Sequence, residues 1–178
     1  VLAFLALSLL PFASAAQEVV VDEAAFAAAE VDRLREELLL LARKNAWTGV
    51  ERTYLAMEAL GGGELLGSDH WTGALAAADR GDVGLVTQRL RAALATGEAV
   101  PGAREWLSDL GLRYGRVVLE AGDLAPVEAP FAPDERAAVA YAAGRLAEEG
   151  RFEGWLPAGR YLVDGDRVEV RPARGGAR

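Results

Sequence analysis

From Ala24 to Leu110 the apolar residues recur at alternating steps of three and four, glycine closes one segment after another, and beyond Gly111 that period stops. A spacing of this kind puts apolar side chains on one stripe of a helix, so the first part of the chain is limited to short amphipathic helices folded back on one another. Ala24, Ala27, Val31, Leu34, Leu38 and Leu41 form the first stripe, with Asp22 as its expected N-cap. Glu23, Glu30, Asp32, Arg33, Arg35, Glu36 and Glu37 fall mostly off the stripe, on a solvated face. The Leu34 to Leu41 seam could also serve a coiled-coil dimer, but it runs for fewer than three heptads, and packing within the monomer is the expectation. A second helix is expected over residues 46–60, carrying Trp47, Val50, Tyr54 and Met57 and stopped by Gly61-Gly62-Gly63. Ser68 or Asp69 caps a third, which carries Trp71, Leu75 and Ala78. Gly81-Asp82 then reads as a helix stop followed at once by an N-cap. The fourth helix spans residues 83–94 and ends at Gly97, and a short fifth spans residues 103–110 with Trp106 and Leu110 on one side.

Residues 112–120 read as a strand, and Ala121-Gly122-Asp123 as the turn after it. Residues 124–132, with Pro126 and Pro130, read as an extended connection. Pro133 with Asp134 and Glu135 opens a long helix that Gly150 stops, because proline suits the first turn and acidic groups favour the positive end of the dipole. A hairpin follows: residues 160–163, a turn at Asp164-Gly165-Asp166, and residues 167–171. The expected fold is therefore α+β and mainly α, with N-terminal antiparallel helical hairpins at 22–110 and a small antiparallel β module with one long helix at 112–171. A disordered tail is expected at 172–178.

The N-terminus carries a different signal. Residues 1–10 are apolar but for Ser8, and Pro11 leads to Ala13-Ser14-Ala15-Ala16. That is the apolar region and small-residue cleavage site of a secretory signal peptide at 1–16, and it makes the protein an exported one, periplasmic or secreted. A run this short falls well below the ~20 residues of a membrane-spanning helix, and no other stretch approaches that length.

Composition narrows the function classes. With no cysteine, thiol nucleophiles, Cys-zinc sites and iron–sulfur ligation are excluded. A formal net charge of −8, with scattered basic residues, argues against a nucleic-acid partner. The absence of isoleucine, together with a single lysine (Lys44) and a single asparagine (Asn45), matches a GC-rich bacterial coding sequence, so the abundant alanine carries little functional information.

Within residues 22–110, the segment from His70 to Leu94 resembles a tetratricopeptide repeat. Ala74 and Ala77 stand at small-residue positions of a first helix, Gly81-Asp82 at the turn, and Ala93-Leu94 at the close of a second helix. The bulky aromatic expected at Ala77 is absent. The resemblance implies a scaffold for protein partners. Within residues 114–171, Gly154-Trp155-Leu156-Pro157-Ala158-Gly159-Arg160-Tyr161-Leu162-Val163 resembles the Leu-Pro-x-Gly-x-Tyr-x-Val signature of carboxypeptidase-regulatory-like and PEGA modules. That motif implies a turn at Pro157 and Gly159 and a strand burying Tyr161 and Val163. Residues 115–119 match the first strand of such a module, while the helix at 133–149 departs from it. Such modules are usually non-catalytic.

Candidate chemistry is sparse. His70 is the sole histidine, so a metal site would rest on one imidazole with carboxylates such as Asp69 and Glu64, and helix capping already accounts for Asp69. Outside the signal segment the serines are Ser68 and Ser108, and neither sits in a Gly-x-Ser-x-Gly elbow. Gly61-Gly62-Gly63 lacks the Gly-Lys-Ser/Thr of a phosphate loop. Asp164-Gly165-Asp166 is hairpin-turn chemistry before it is a calcium loop. Trp47, Trp71 and Trp106 lie on apolar stripes and are expected in the core. Trp155, beside a Pro/Gly turn, is the candidate partner-binding residue.

No catalytic, cofactor-binding or metal-ligating residue is therefore assigned, and no cofactor is expected. The leading expectation is an exported, non-enzymatic envelope protein acting as a protein-interaction or scaffold module on another envelope protein. A cell-wall glycan hydrolase using two acidic residues, and a structural oligomer, are the alternatives.

Overall fold

The computed structural model describes residues 23–60, 65–120, 122–127 and 131–173. The expected signal segment 1–16, the expected N-cap Asp22, the expected helix stop Gly61-Gly62-Gly63, Glu64 and residues 174–178 of the expected tail lie outside the described residues. The fold is mixed α+β and mainly helical, with a small antiparallel β module after the helices.

Helix α1 (Glu23–Arg43) buries Val31, Leu34 and Leu38 against Val50, Tyr54 and Met57 of α2 (Trp47–Leu60) and Ala76 of α3. Each such side chain contributes roughly 1.5–3 kcal/mol relative to exposure, so the Leu34 seam is satisfied inside the chain. Helix α1 stops through Asn45, whose φ of 54° is left-handed; the amide of Asn45 donates to Ala42 O and that of Ala46 to Leu41 O. Asparagine is among the few residues besides glycine that visit this region readily.

Helix α3 (Gly67–Arg80) begins earlier than its sequence signal. Leu66 occupies the N-cap, so Ser68 and Asp69 lie inside the first turn. Asp69 still satisfies the helix end, because its carboxylate reaches back to accept from the Leu66 amide at 2.9 Å. The turn into α4 (Val83–Ala95) forms as expected, with Gly81 at φ 84° and Asp82 accepting from the Leu85 amide at 3.0 Å. Gly81 has a second role: a Cβ there would lie 2.3 Å from the carbonyl oxygen of Ala137 in α6 (Pro133–Glu149), which crosses this turn.

Helix α5 (Ala103–Arg113) extends three residues past the expected end, so β1 (Tyr114–Glu120) begins at Tyr114 and not at residue 112. Arg113 holds that last turn helical, pairing with Asp109 one turn back and with Asp134 and Glu135 at the start of α6 (Pro133–Glu149).

Two further expectations change in the β module. Within the expected extended connection, residues Leu124–Pro126 form strand β2, paired with β4 (Gly159–Val163); Pro126 is tolerated because β2 is an edge. The segment before the expected turn at Pro157 and Gly159 is itself a strand: β3 (Arg151–Pro157) runs antiparallel to β1, with Leu119 opposite Phe152 and Arg116 opposite Trp155. The chain then crosses over Ala158 into β4 (Gly159–Val163). Between β4 and β5 (Asp166–Val170), Asp164 and Gly165 have φ of 52° and 87°, a two-residue type I′ turn, and Asp166 belongs to the strand. Tyr161 is buried and donates its hydroxyl to Pro157 O at 2.8 Å, whereas Val163 is only half-buried. Past β5, Ala173 donates to Tyr114 O at 2.9 Å, tying this part of the expected tail to the start of β1.

Helix α6 covers one face of these strands. Val139, Ala142 and Leu146 meet Leu119, Phe152, Leu156, Tyr161 and Val170. Another cluster joins α3, α4 and α5 to Tyr114 of β1 and Ala138 of α6, so the helical part and the β module share a core.

Candidate functional site

Trp155 packs its indole edge against α4 at a position that has no side chain: a Cβ on Gly84 would lie 3.6 Å from Trp155 Cδ1. The contact leaves the ring half-buried, and the surface beside it opens into two adjoining cavities of about 550 and 600 Å³. Both volumes fall within the ~300–1,000 Å³ of ligand sites. Gly84, Gln88, Glu153, Gly154 and Trp155 line both, so the two form one groove between α4, α6 and β3.

The groove is polar as well as aromatic. Arg145 and Glu149 pair along α6 at 2.7 Å, Arg116 pairs with Glu153 across the β1–β3 ribbon at 2.6 Å, and Arg151 reaches Glu153 at 3.5 Å. Arg91 stands exposed on α4. Asp82, which also lines the groove, is engaged through both oxygens: one caps α4 and the other accepts from the Tyr141 hydroxyl at 2.8 Å. Burial, and then the Asp82 charge, raise the Tyr141 phenol above its ordinary range, which keeps it a proton donor. The groove therefore offers a rigid aromatic edge, four guanidinium groups and three carboxylates, each carboxylate already facing a positive group or a hydrogen-bond donor.

His70 lies elsewhere. Trp155 meets the first turns of α4, whereas His70 lines a hollow with Ala92, Ala95 and Thr96 near its end, roughly 15 Å along the helix at 1.5 Å per residue. The Tyr54 hydroxyl donates to Glu58 Oε1 at 2.8 Å and lies 2.8 Å from His70 Nδ1, a contact whose donor is set by the imidazole tautomer. Burial lowers the imidazole pKa. Asp69, the neighbouring carboxylate, is held by the Arg35 Nε and the Leu66 amide. Among the described residues no group of three or more His, Cys, Asp or Glu side chains is placed to hold a metal ion.

Beside that hollow is a network the sequence reading missed. Arg89 is buried at 2% exposure, pairs with both oxygens of Glu51, donates to Gly73 O at 2.7 Å, and lies 4.1 Å from the centre of the Tyr54 ring. Its Nε has no hydrogen-bond partner among the described residues. The available signal was spacing: Arg89 stands three residues after Val86 and four before Ala93, on the buried arc of α4.

The remaining tryptophans sit at the margins of the core and are not enclosed by it. Trp71 and Trp106 meet edge to face at 5.3 Å, and Trp47 flanks a smaller cavity of about 450 Å³ between α2 and α3, with Glu51, Leu55 and Arg80. Gln88, Tyr141 and Glu153, the neighbours that turn Trp155 into part of a groove, lie far apart in sequence and carried no motif. No known protein family, curated protein or solved structure matches the chain.

Proposed function

We propose that this is an exported, non-enzymatic protein of the cell envelope that binds another protein, with the Trp155 groove as its recognition surface. The observation that carries the reading is the position of Trp155, a half-buried aromatic at the junction of two cavities with arginines on either side. Aromatic and arginine anchors in partly enclosed pockets are the usual centres of protein recognition. Export rests on residues 1–16. No helix among the described residues is long and apolar enough to cross a membrane.

A tetratricopeptide-like role for α3 and α4 is supported by Ala74, Ala77 and Ala93, which are fully buried and let the two helices approach closely. In this arrangement the helices hold the groove's α4 wall in place.

The groove's own carboxylates favour binding over glycan hydrolysis. Glu149 and Glu153 are paired with arginines and Asp82 accepts two hydrogen bonds, so each of the three is already engaged by the protein's own groups and not turned toward a glycosidic oxygen.

Affinity capture from envelope extract tests the proposal, run in parallel with the unchanged chain, Trp155→Ala, and Leu55→Asp at the α2–α3 cavity. A partner retained by the unchanged chain and by Leu55→Asp but lost with Trp155→Ala is expected. Loss only with Leu55→Asp moves recognition to the helical face. Muropeptide release from peptidoglycan, absent in a heat-inactivated control, would replace the reading with hydrolysis.

A further inference from the structure

Residues 151–155 line the groove without interruption. The face of a strand presents every second residue, because successive side chains point to opposite sides. Five consecutive residues along one cavity therefore mean that the groove runs beside the edge of β3. On its other side β3 pairs with β1, and among the described residues no strand pairs with this edge. A strand edge without a strand partner presents a row of N–H and C=O groups to whatever lies beside it. The other outer strands are β1 and β5, which adjoin where the Ala173 amide donates to Tyr114 O, and β2, which has three residues and ends in a proline, which cannot donate. The seven-residue β3, free of proline until Pro157, is the better template.

We propose that the groove takes a single extended peptide strand of the partner protein, which pairs through its backbone with the free edge of β3, lays one side chain against Trp155, and presents an Asp or Glu to Arg91 and Arg116. This deepens the partner-binding reading and rests on it. Strand addition of this kind draws affinity from main-chain hydrogen bonds and specificity from pockets for alternate side chains. Five residues of strand span roughly 17 Å. Charge favours an acidic segment: four arginines face three carboxylates in the groove of a chain whose net charge is −8. A second copy of the chain fits less well. In each copy Gly84, Leu85 and Gln88 of α4 and Tyr141 and Arg145 of α6 wall the same edge, so two β3 edges cannot meet without driving helices together.

The test selects peptides from a random octapeptide display library on the immobilised full chain, then measures the best synthetic peptide by fluorescence anisotropy. Each of its backbone amides is N-methylated in turn. Methylation at alternate positions is expected to weaken binding about tenfold or more, with little effect in between. Gln88→Trp, at an exposed site that lines both cavities, is expected to weaken binding similarly while leaving the circular dichroism spectrum unchanged. Replacing the peptide's acidic residue by its amide should weaken binding in proportion to salt sensitivity. Binding that Gln88→Trp blocks but that shows no two-residue methylation period overturns strand pairing and leaves the groove as the recognition surface. Selected peptides indifferent to Gln88→Trp overturn both readings. A doubled mass in light scattering that Gln88→Trp returns to monomer would assign the edge to a second copy and overturn the peptide proposal.

Discussion

Tyr141 and Asp82, 59 residues apart, are joined by a 2.8 Å hydrogen bond that ties α6 to the N-cap of α4 in the wall of the groove. Because the other oxygen of Asp82 caps α4, one carboxylate fixes both helical walls. Asp82→Ala is expected to lose the cap, about 1 kcal/mol, and a hydrogen bond of about the same size, for a total near 2 kcal/mol in urea unfolding. Tyr141→Phe should cost about 1 kcal/mol. The double variant should fall short of the sum, since both changes remove the same bond. Strict additivity would mean that the bond does not form in solution.

Two glycines should respond to alanine with opposite sign. Gly144 lies exposed within α6 with nothing within 4 Å of an added Cβ, so Gly144→Ala is expected to stabilise by about 0.5–1 kcal/mol. Gly81→Ala meets both a left-handed backbone and the Ala137 carbonyl, and should destabilise by roughly 2–4 kcal/mol. Thermal unfolding of the pair checks the packing of α6 on the α3–α4 turn; a neutral Gly81→Ala would refute it.

Removing Arg89 isolates a carboxylate. Among the described residues Arg89→Met leaves Glu51 paired with Arg80 alone, 3.4 Å away, so the loss should lie near 3 kcal/mol, the lower end for a broken buried pair. Adding Glu51→Leu should recover part of it, because an apolar pair avoids the desolvation of both charges. Chemical denaturation of the two variants decides this.

The His70 imidazole should make stability fall on acidification. Its folded pKa lies below the ordinary 6.5 because burial disfavours the cation. As pH drops through about 6.5 the unfolded chain takes up a proton that the folded chain does not, so stability declines until pH passes below the folded pKa and then levels off for this group. His70→Gln should remove that part of the slope. Denaturant midpoints at about pH 8 and about pH 5 give the comparison; an identical pH response in both proteins would contradict it.

How much was legible in the sequence follows the range of each interaction. The stripe of Val31, Leu34 and Leu38, the Gly81-Asp82 stop and cap, the Pro133 helix start and the Asp164-Gly165 turn are local, set by spacing, φ and capping within a few residues, and all were readable. Boundaries failed where a distant partner intervened. Arg113 stayed helical because Asp134 and Glu135 hold it, and residues 124–126 became a strand because β4 offers an edge. The site shows the same division. The sequence singled out Trp155 as a large aromatic beside a Pro/Gly turn but assigned it to no element, since nothing local revealed that residues 151–157 pair with β1.

The sequence by itself determined the helical hairpins, the later β segments and the residue types available for chemistry, because periodicity and turn preferences act over one or two turns of chain. Only the tertiary structure decided that Trp155 stands over Gly84, that Tyr141 reaches Asp82, and that β3 keeps one edge unpaired. Each of those outcomes depends on how α6 crosses the α3–α4 turn, a packing of surfaces contributed by residues more than fifty positions apart, for which no short-range pattern exists.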